Sequence, residues 1–144
     1  VRGRVLGRWY FIGTDAFYKA TATIKKFDTP DTIKLIDVKT DHNRRQGISL
    51  ISGRKVDIIR PILMNTRGFG DPEAGIDVES DKDSHVIEEL YIEDAITKNN
   101  AGAGIQFYLR HLENSNTPVS IEINGHEDYG SLYGVLVQGK KGRL

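Results

Sequence analysis

The chain has no cysteine among its 144 residues. That excludes disulfides, thiolate metal sites and cysteine nucleophiles. Long hydrophobic runs are also missing: the longest are only a few residues, too short for a helix that crosses a bilayer, and no membrane partner is expected. The opening residues lack the charged, apolar and small-residue order of a secretory signal. The first residue is Val rather than Met, as expected of a processed, trimmed or unusually initiated chain. Net charge is absent too, with 20 Lys/Arg against 20 Asp/Glu.

That zero conceals an asymmetry. Residues 1–70 hold fourteen Lys/Arg and six Asp, a net of +8, so the remainder carries −8. A basic "KKGRL" closes the chain. Were this polarity to become spatial, one face would be basic and another acidic, and copies could stack in a fixed order. A β fold that interleaves its halves would erase the effect and leave solvated loops.

Strand patterns dominate. "RVLGRWYFIG" is aromatic and β-branched between glycines, "FYKATATIKKF" alternates, and "GTDA" between them reads as a tight turn. In "TIKLIDVKT", Ile33, Leu35 and Asp37 oppose Lys34, Ile36 and Val38. "DHNRRQG" is a polar tip, followed by strands in "ISLISG" and "KVDIIRPILMN", with Pro61 marking an edge or bulge. Residues 66–85 lose the pattern and read as one long acidic, Gly-rich loop. "HVIEELYIED" is a further strand. Ile105, Leu109 and Leu112, at i, i+4 and i+7, predict a helix over about 104–114, capped at Asn99 or Asn100 and ended at Asn114. "VSIEI" and "SLYGVLV" then form a C-terminal hairpin around "NGHEDYG". No internal repeat is evident. The expected fold is a single mainly-β domain over 1–144, an antiparallel β-sandwich or barrel with one short helix.

No motif points to catalysis or requires a cofactor. There is no Gly-x-Ser-x-Gly elbow. The four histidines, His42, His85, His111 and His126, have no metal-ligand spacing. "GFG" and "AGAG" lack the Lys-Ser/Thr of a phosphate loop and the Gly-x-Gly-x-x-Gly of a dinucleotide site; "AGAG" is a flexible entry to the expected helix. Asp77, Glu79, Asp81, Asp83 and Glu88 have the alternation of a calcium loop. Lys82 stands where such a loop needs Gly, so a solvated acidic loop is the plainer expectation. Arg44, Arg45, Arg54, Lys55, Arg60 and Arg67 cluster in sequence. A barrel could offer them to nucleic acid, with Tyr18 or Phe27 for stacking, but the acidic half opposes phosphate.

Gly7, Trp9 and Tyr10 in "LGRWYFIG" resemble the motif that opens lipocalin-type carriers. That resemblance implies a ligand-binding β-barrel. The family's second motif is matched only loosely by Asp128, Tyr129 and Tyr133 in "EDYGSLYG", and the expected helix falls too early. The element order, strands then helix then two closing strands, resembles the tube, baseplate and tail-junction proteins of phage tails. That resemblance implies a non-enzymatic subunit that joins copies of itself and neighbouring structural subunits, made in the cytoplasm and ending in a virion or other extracellular assembly. The segments expected at subunit contacts are the basic tip at 41–46 and the loop at 68–85, with Arg44, Arg45, Arg54, Lys55, Asp77, Glu79, Asp81 and Asp83 as interface residues. An assembly subunit is the leading expectation. A lipocalin-like carrier and a nucleic-acid-binding barrel are the alternatives.

Overall fold

The computed structural model describes residues 32–68 and 70–139. "LGRWYFIG" and "FYKATATIKKF", with Tyr18 and Phe27, lie outside them. The described chain forms ten strands: β1 Thr32–Ile36, β2 Lys39–Asp41, β3 Gln46–Leu50, β4 Gly53–Ile59, β5 Ile62–Met64, β6 Ala74–Glu79, β7 Ile87–Lys98, β8 Ala103–Tyr108, β9 Ser120–Tyr129 and β10 Tyr133–Gln138.

Every strand pairing is parallel. β1, β4, β7 and β9 stack in one sheet, which β2 and β5 extend beside β7. β3, β6, β8 and β10 stack in the other. The chain thus winds from one sheet to the other and back, rising one strand spacing per circuit. This is a β-solenoid of about three turns, with four strand levels, here called coils 1 to 4, in each sheet, and each coil touches mainly its neighbours.

Equivalent residues lie directly above one another. Ile33, Val56, Leu90 and Ile121 form one row, and Leu35, Ile58, Ile92 and Ile123 a second. Across the interior run Ile48, Ile76, Ile105 and Val135, then Leu50, Val78, Phe107 and Val137. The middle members of these rows are buried and form the core. Each apolar side chain so buried contributes roughly 1.5–3 kcal/mol.

The corners repeat as well. Asp37, Arg60, Asp94 and Gly125 all take positive φ, at 56°, 50°, 48° and 72°. His42, Asn65, Asn99 and Gly130 do the same at the second corner, at 56°, 54°, 60° and 83°. Left-handed residues turn the chain sharply, and Asn, Asp and Gly are the residues that accept this conformation most readily. Arg60 is the costlier choice, and its guanidinium is held in a fork on Asp37, Nε to Oδ1 at 2.8 Å and an Nη to Oδ2 at 3.0 Å. Behind the second corner Asn100 is buried. Its Oδ1 accepts from Thr66 N at 3.0 Å and its Nδ2 donates to Leu63 O at 3.2 Å, which ties two coils together.

Gly47, Gly75, Gly104 and Gly134 form one more row. A Cβ on Gly75 would stand 2.6 Å from Gly104 O and 3.1 Å from the Thr97 methyl. The backbone of the next coil occupies the space a side chain would need.

These findings correct the expected antiparallel sandwich or barrel. Alternation reports that one strand face is buried, and parallel coils satisfy it as well as hairpins do. The expected helix at 104–114 is β8 followed by a single 3₁₀ turn, Arg110–Leu112. Ile105 and Phe107 are both buried, with Gln106 and Tyr108 facing outward, a period of two rather than 3.6. The C-terminal hairpin is absent: β9 pairs with β7 and β10 with β8. The loop at 66–85 contains β6, a central strand. The coils themselves are the internal repeat.

Gly75→Ala is expected to destabilise the fold by about 1–3 kcal/mol through overpacking. Gly134→Ala, where the nearest atom is Asp128 Cβ at 3.7 Å, is expected to cost less than about 0.5 kcal/mol. Urea unfolding of the two variants checks the contrast. Equal losses would contradict the stacked-glycine geometry.

Candidate functional site: the C-terminal end of the solenoid

The last coil consists of β9 and β10. In the middle coils, each strand has a neighbour on both sides. β9 and β10 are bonded only to the coil before them, and among the described residues no strand covers their other edge. Such an edge offers a row of unpaired backbone donors and acceptors to another chain.

The side chains at this end are apolar. Val135 and Val137 continue rows whose inner members, Ile76, Ile105, Val78 and Phe107, are fully buried, yet they are 43% and 38% exposed. Leu132 is 68% exposed, and Tyr129 and Tyr133 are also exposed. Ile121 and Ile123 are half-buried and rest on the core. A contiguous apolar surface is typical of an interaction site.

The other half of β9 brings polar groups inward. Thr97 Oγ1 donates to Asp128 Oδ1 at 2.6 Å and contacts His126 Nε2 at 2.8 Å. Ser131 N donates to Asp128 Oδ2 at 3.1 Å. With the threonine proton committed to Asp128, His126 donates to Thr97 through Nε2–H. Burial holds the His126 pKa below the ordinary imidazole value, against the opposing pull of Asp128. Thr97 is fully buried. The trio is a hydrogen-bonded brace between coils, and no substrate reaches its hydroxyl.

The residues singled out in the sequence do not converge. Arg44 and Arg45 are exposed at the second corner, where Arg45 Nε donates to Asp71 O at 3.0 Å. Arg54 and Lys55 are exposed at the start of β4, and Arg54 pairs with Glu88 at 3.2 Å. Arg67 bonds to Asn99 Oδ1 at 3.1 Å, around the coil from Arg54. Asp81 and Asp83 are exposed in the turn after β6, and Glu79 is half-buried at its end. Among the described residues no three His, Asp or Glu side chains are placed to hold a metal ion. A cleft of about 360 Å³, lined by Tyr108, Arg110, Glu113, Gln138 and Gly139, opens beside β10.

Asp77 is the exception within that set, because it is completely buried. Gln46 Nε2 donates to its Oδ2 at 3.3 Å and Gln106 Nε2 to its Oδ1 at 3.4 Å. Burial raises its pKa to about 6. Glu79 and Asp81 add to the rise, while Gln46 and Arg45 oppose it.

Sequence reasoning did not single out Leu132, Val135 or Val137. The available signal was a final strand, "LYGVLV", apolar on both faces.

Comparison with protein-family models, with curated proteins and with solved structures finds no match to the chain. The class is therefore defined by its architecture alone, a parallel β-solenoid.

Asp77 and His126 make opposite contributions to the pH dependence of stability. A raised carboxyl pKa means the folded state holds a proton that the unfolded state has released, so its stabilisation is present at low pH and is lost from about pH 4 to 6. A depressed His pKa removes stability as pH falls below about 6.5. The Asp77→Asn variant isolates the first. Its stability relative to the parent is expected to rise by about 3 kcal/mol between pH 4 and pH 7, as read by urea unfolding at each pH. A difference independent of pH would show that Asp77 ionises normally in the folded protein.

Proposed function

We propose that the chain is a non-enzymatic structural subunit that self-assembles, in a virion or another particle, using the C-terminal end of the solenoid as a joining surface. The observation that carries this reading is the coincidence of open strand edges with exposed Val135, Val137, Leu132 and Tyr133 at one end. Covering them removes apolar area from water and satisfies the edge in one step. The likeness to phage-tail proteins rested on a helix and a closing hairpin that the fold replaces, so the reading stands on the open end alone.

The two alternative readings lose their premise. Each needed a barrel, and the interior of this solenoid is filled by Ile, Leu, Val and Phe side chains. The arginines proposed for nucleic acid are spread around the coils, with Arg60 and Arg54 engaged by carboxylates.

The purified chain is expected to form oligomers whose mass rises with concentration in light scattering. The double variant Val135→Lys/Val137→Lys is expected to stay monomeric while keeping the strand signal in circular dichroism. A parent chain that is strictly monomeric at about 100 µM, far above the micromolar affinities of ordinary specific complexes, would contradict the reading.

A further inference from the structure

The first and last described coils differ in charge. Coil 1, residues 32–52, holds Lys34, Lys39, Arg44 and Arg45 against Asp37 and Asp41. The last coil, residues 120–139, holds Glu122, Glu127 and Asp128 and no Lys or Arg. In a solenoid, sequence order is order along the axis, so this is a difference between the two ends.

The charges also share rows. Lys34, Asp57, Tyr91 and Glu122 occupy one outward row from coil 1 to coil 4. Lys39, Ile62, Ile96 and Glu127 occupy another. We propose that copies of the chain stack head to tail, the last coil of one copy receiving coil 1 of the next in the register that already joins coils within the chain. In that register Glu122 faces Lys34 of the next copy, and Glu127 faces its Lys39. The inference rests on the assembly reading above and names its partner as a second copy.

Four features fit that register. Lysine reaches an acid one level away in the same row, because Lys34 Nζ already lies 3.2 Å from Asp57 Oδ2. The interior rows continue unbroken, with Ile33 over Ile121, Leu35 over Ile123, Ile48 over Val135 and Leu50 over Val137. These cover the apolar side chains that the end leaves exposed. The glycine row continues too: Gly134, with nothing but Asp128 Cβ nearby at 3.7 Å, receives Gly47 of the next copy. Finally, the two coils have matching outlines, since corners of positive φ at Asp37 and His42 stand over those at Gly125 and Gly130. A tail-to-tail pair instead sets Glu122 and Glu127 of one copy near those of another, without the lysines that coil 1 supplies in the same rows. Like charges opposed in this way disfavour association.

The test is complementary charge reversal, read by analytical ultracentrifugation of the full chain. Glu122, Glu127, Lys34 and Lys39 are all exposed, so the variants are expected to fold, and circular dichroism verifies this. Glu122→Lys/Glu127→Lys alone, and Lys34→Glu/Lys39→Glu alone, are each expected to weaken association at least about tenfold. Mixing the two in equal amounts is expected to restore it, because each variant's altered end matches the other's. As a second readout, a zero-length amine-to-carboxylate crosslinker is expected to join Lys34 to Glu122 or Lys39 to Glu127 between copies. Assembly of the parent chain without rescue on mixing and without either crosslink would overturn the head-to-tail register and leave the assembly reading standing. A parent chain that never associates would overturn both.

Discussion

The structure depends on one constraint: each coil must present to the next a backbone in the same register. Parallel pairing supplies the hydrogen bonds along the strands, and the corners must keep pace with them. Arg60 N bonds to Glu93 O at 2.8 Å, Asn65 N to Lys98 O at 2.9 Å and Asn99 N to Tyr129 O at 2.9 Å, so the ladder continues through both corners. The positive-φ residues, the glycine row and the buried Asn100 all serve that continuity. The connections between the sheets differ in length, from 51–52 to 109–119, without breaking the stack.

A stack of this kind has consequences for function. It creates no central pocket, because inward side chains fill the interior. It creates two ends, because nothing within a short solenoid closes on itself as a barrel does. The end formed by β9 and β10 exposes valines where inner coils bury them. Solenoid order also converts a chain-level charge imbalance into a difference between ends. Among the described residues the strands of both the first and the last coil have an open edge, and Glu122 and Glu127 of the last coil share rows with Lys34 and Lys39 of the first.

Much of the strand content was legible in the sequence. "HVIEELYIED" and "VSIEI" are strands, whereas Pro61, expected at an edge or bulge, sits at the corner between β4 and β5. The polar tip at "DHNRRQG" is a corner region. What alternation could not report was strand direction, and so it led to an antiparallel sheet. The repeat was present in "QGISL", "AGIDV", "AGIQF" and "YGVLV", each with Gly followed by Ile or Val. These segments start at residues 46, 74, 103 and 133, a spacing of 28 to 30, but they share little beyond the Gly and the residue after it, and the strands of the facing sheet recur unevenly, with Ile33, Val56, Leu90 and Ile121 spaced by 23, 34 and 31. The helix over 104–114 failed for a related reason. Ile105, Leu109 and Leu112 match helical spacing, but Phe107 is buried between them and Gly102 and Gly104 precede, a pattern that suits a strand pressed against a neighbouring backbone. The joining surface was illegible because exposure of Val135 and Val137 follows from being last in a stack, a property no local pattern encodes.

Electron cryo-microscopy of the concentrated chain decides whether copies stack end to end. Rods one solenoid wide are expected, in which the strand spacing of about 4.8 Å along the axis runs through each junction between copies without a break. Subunits joined side by side, or rods whose axial spacing is interrupted at every junction, would contradict such stacking.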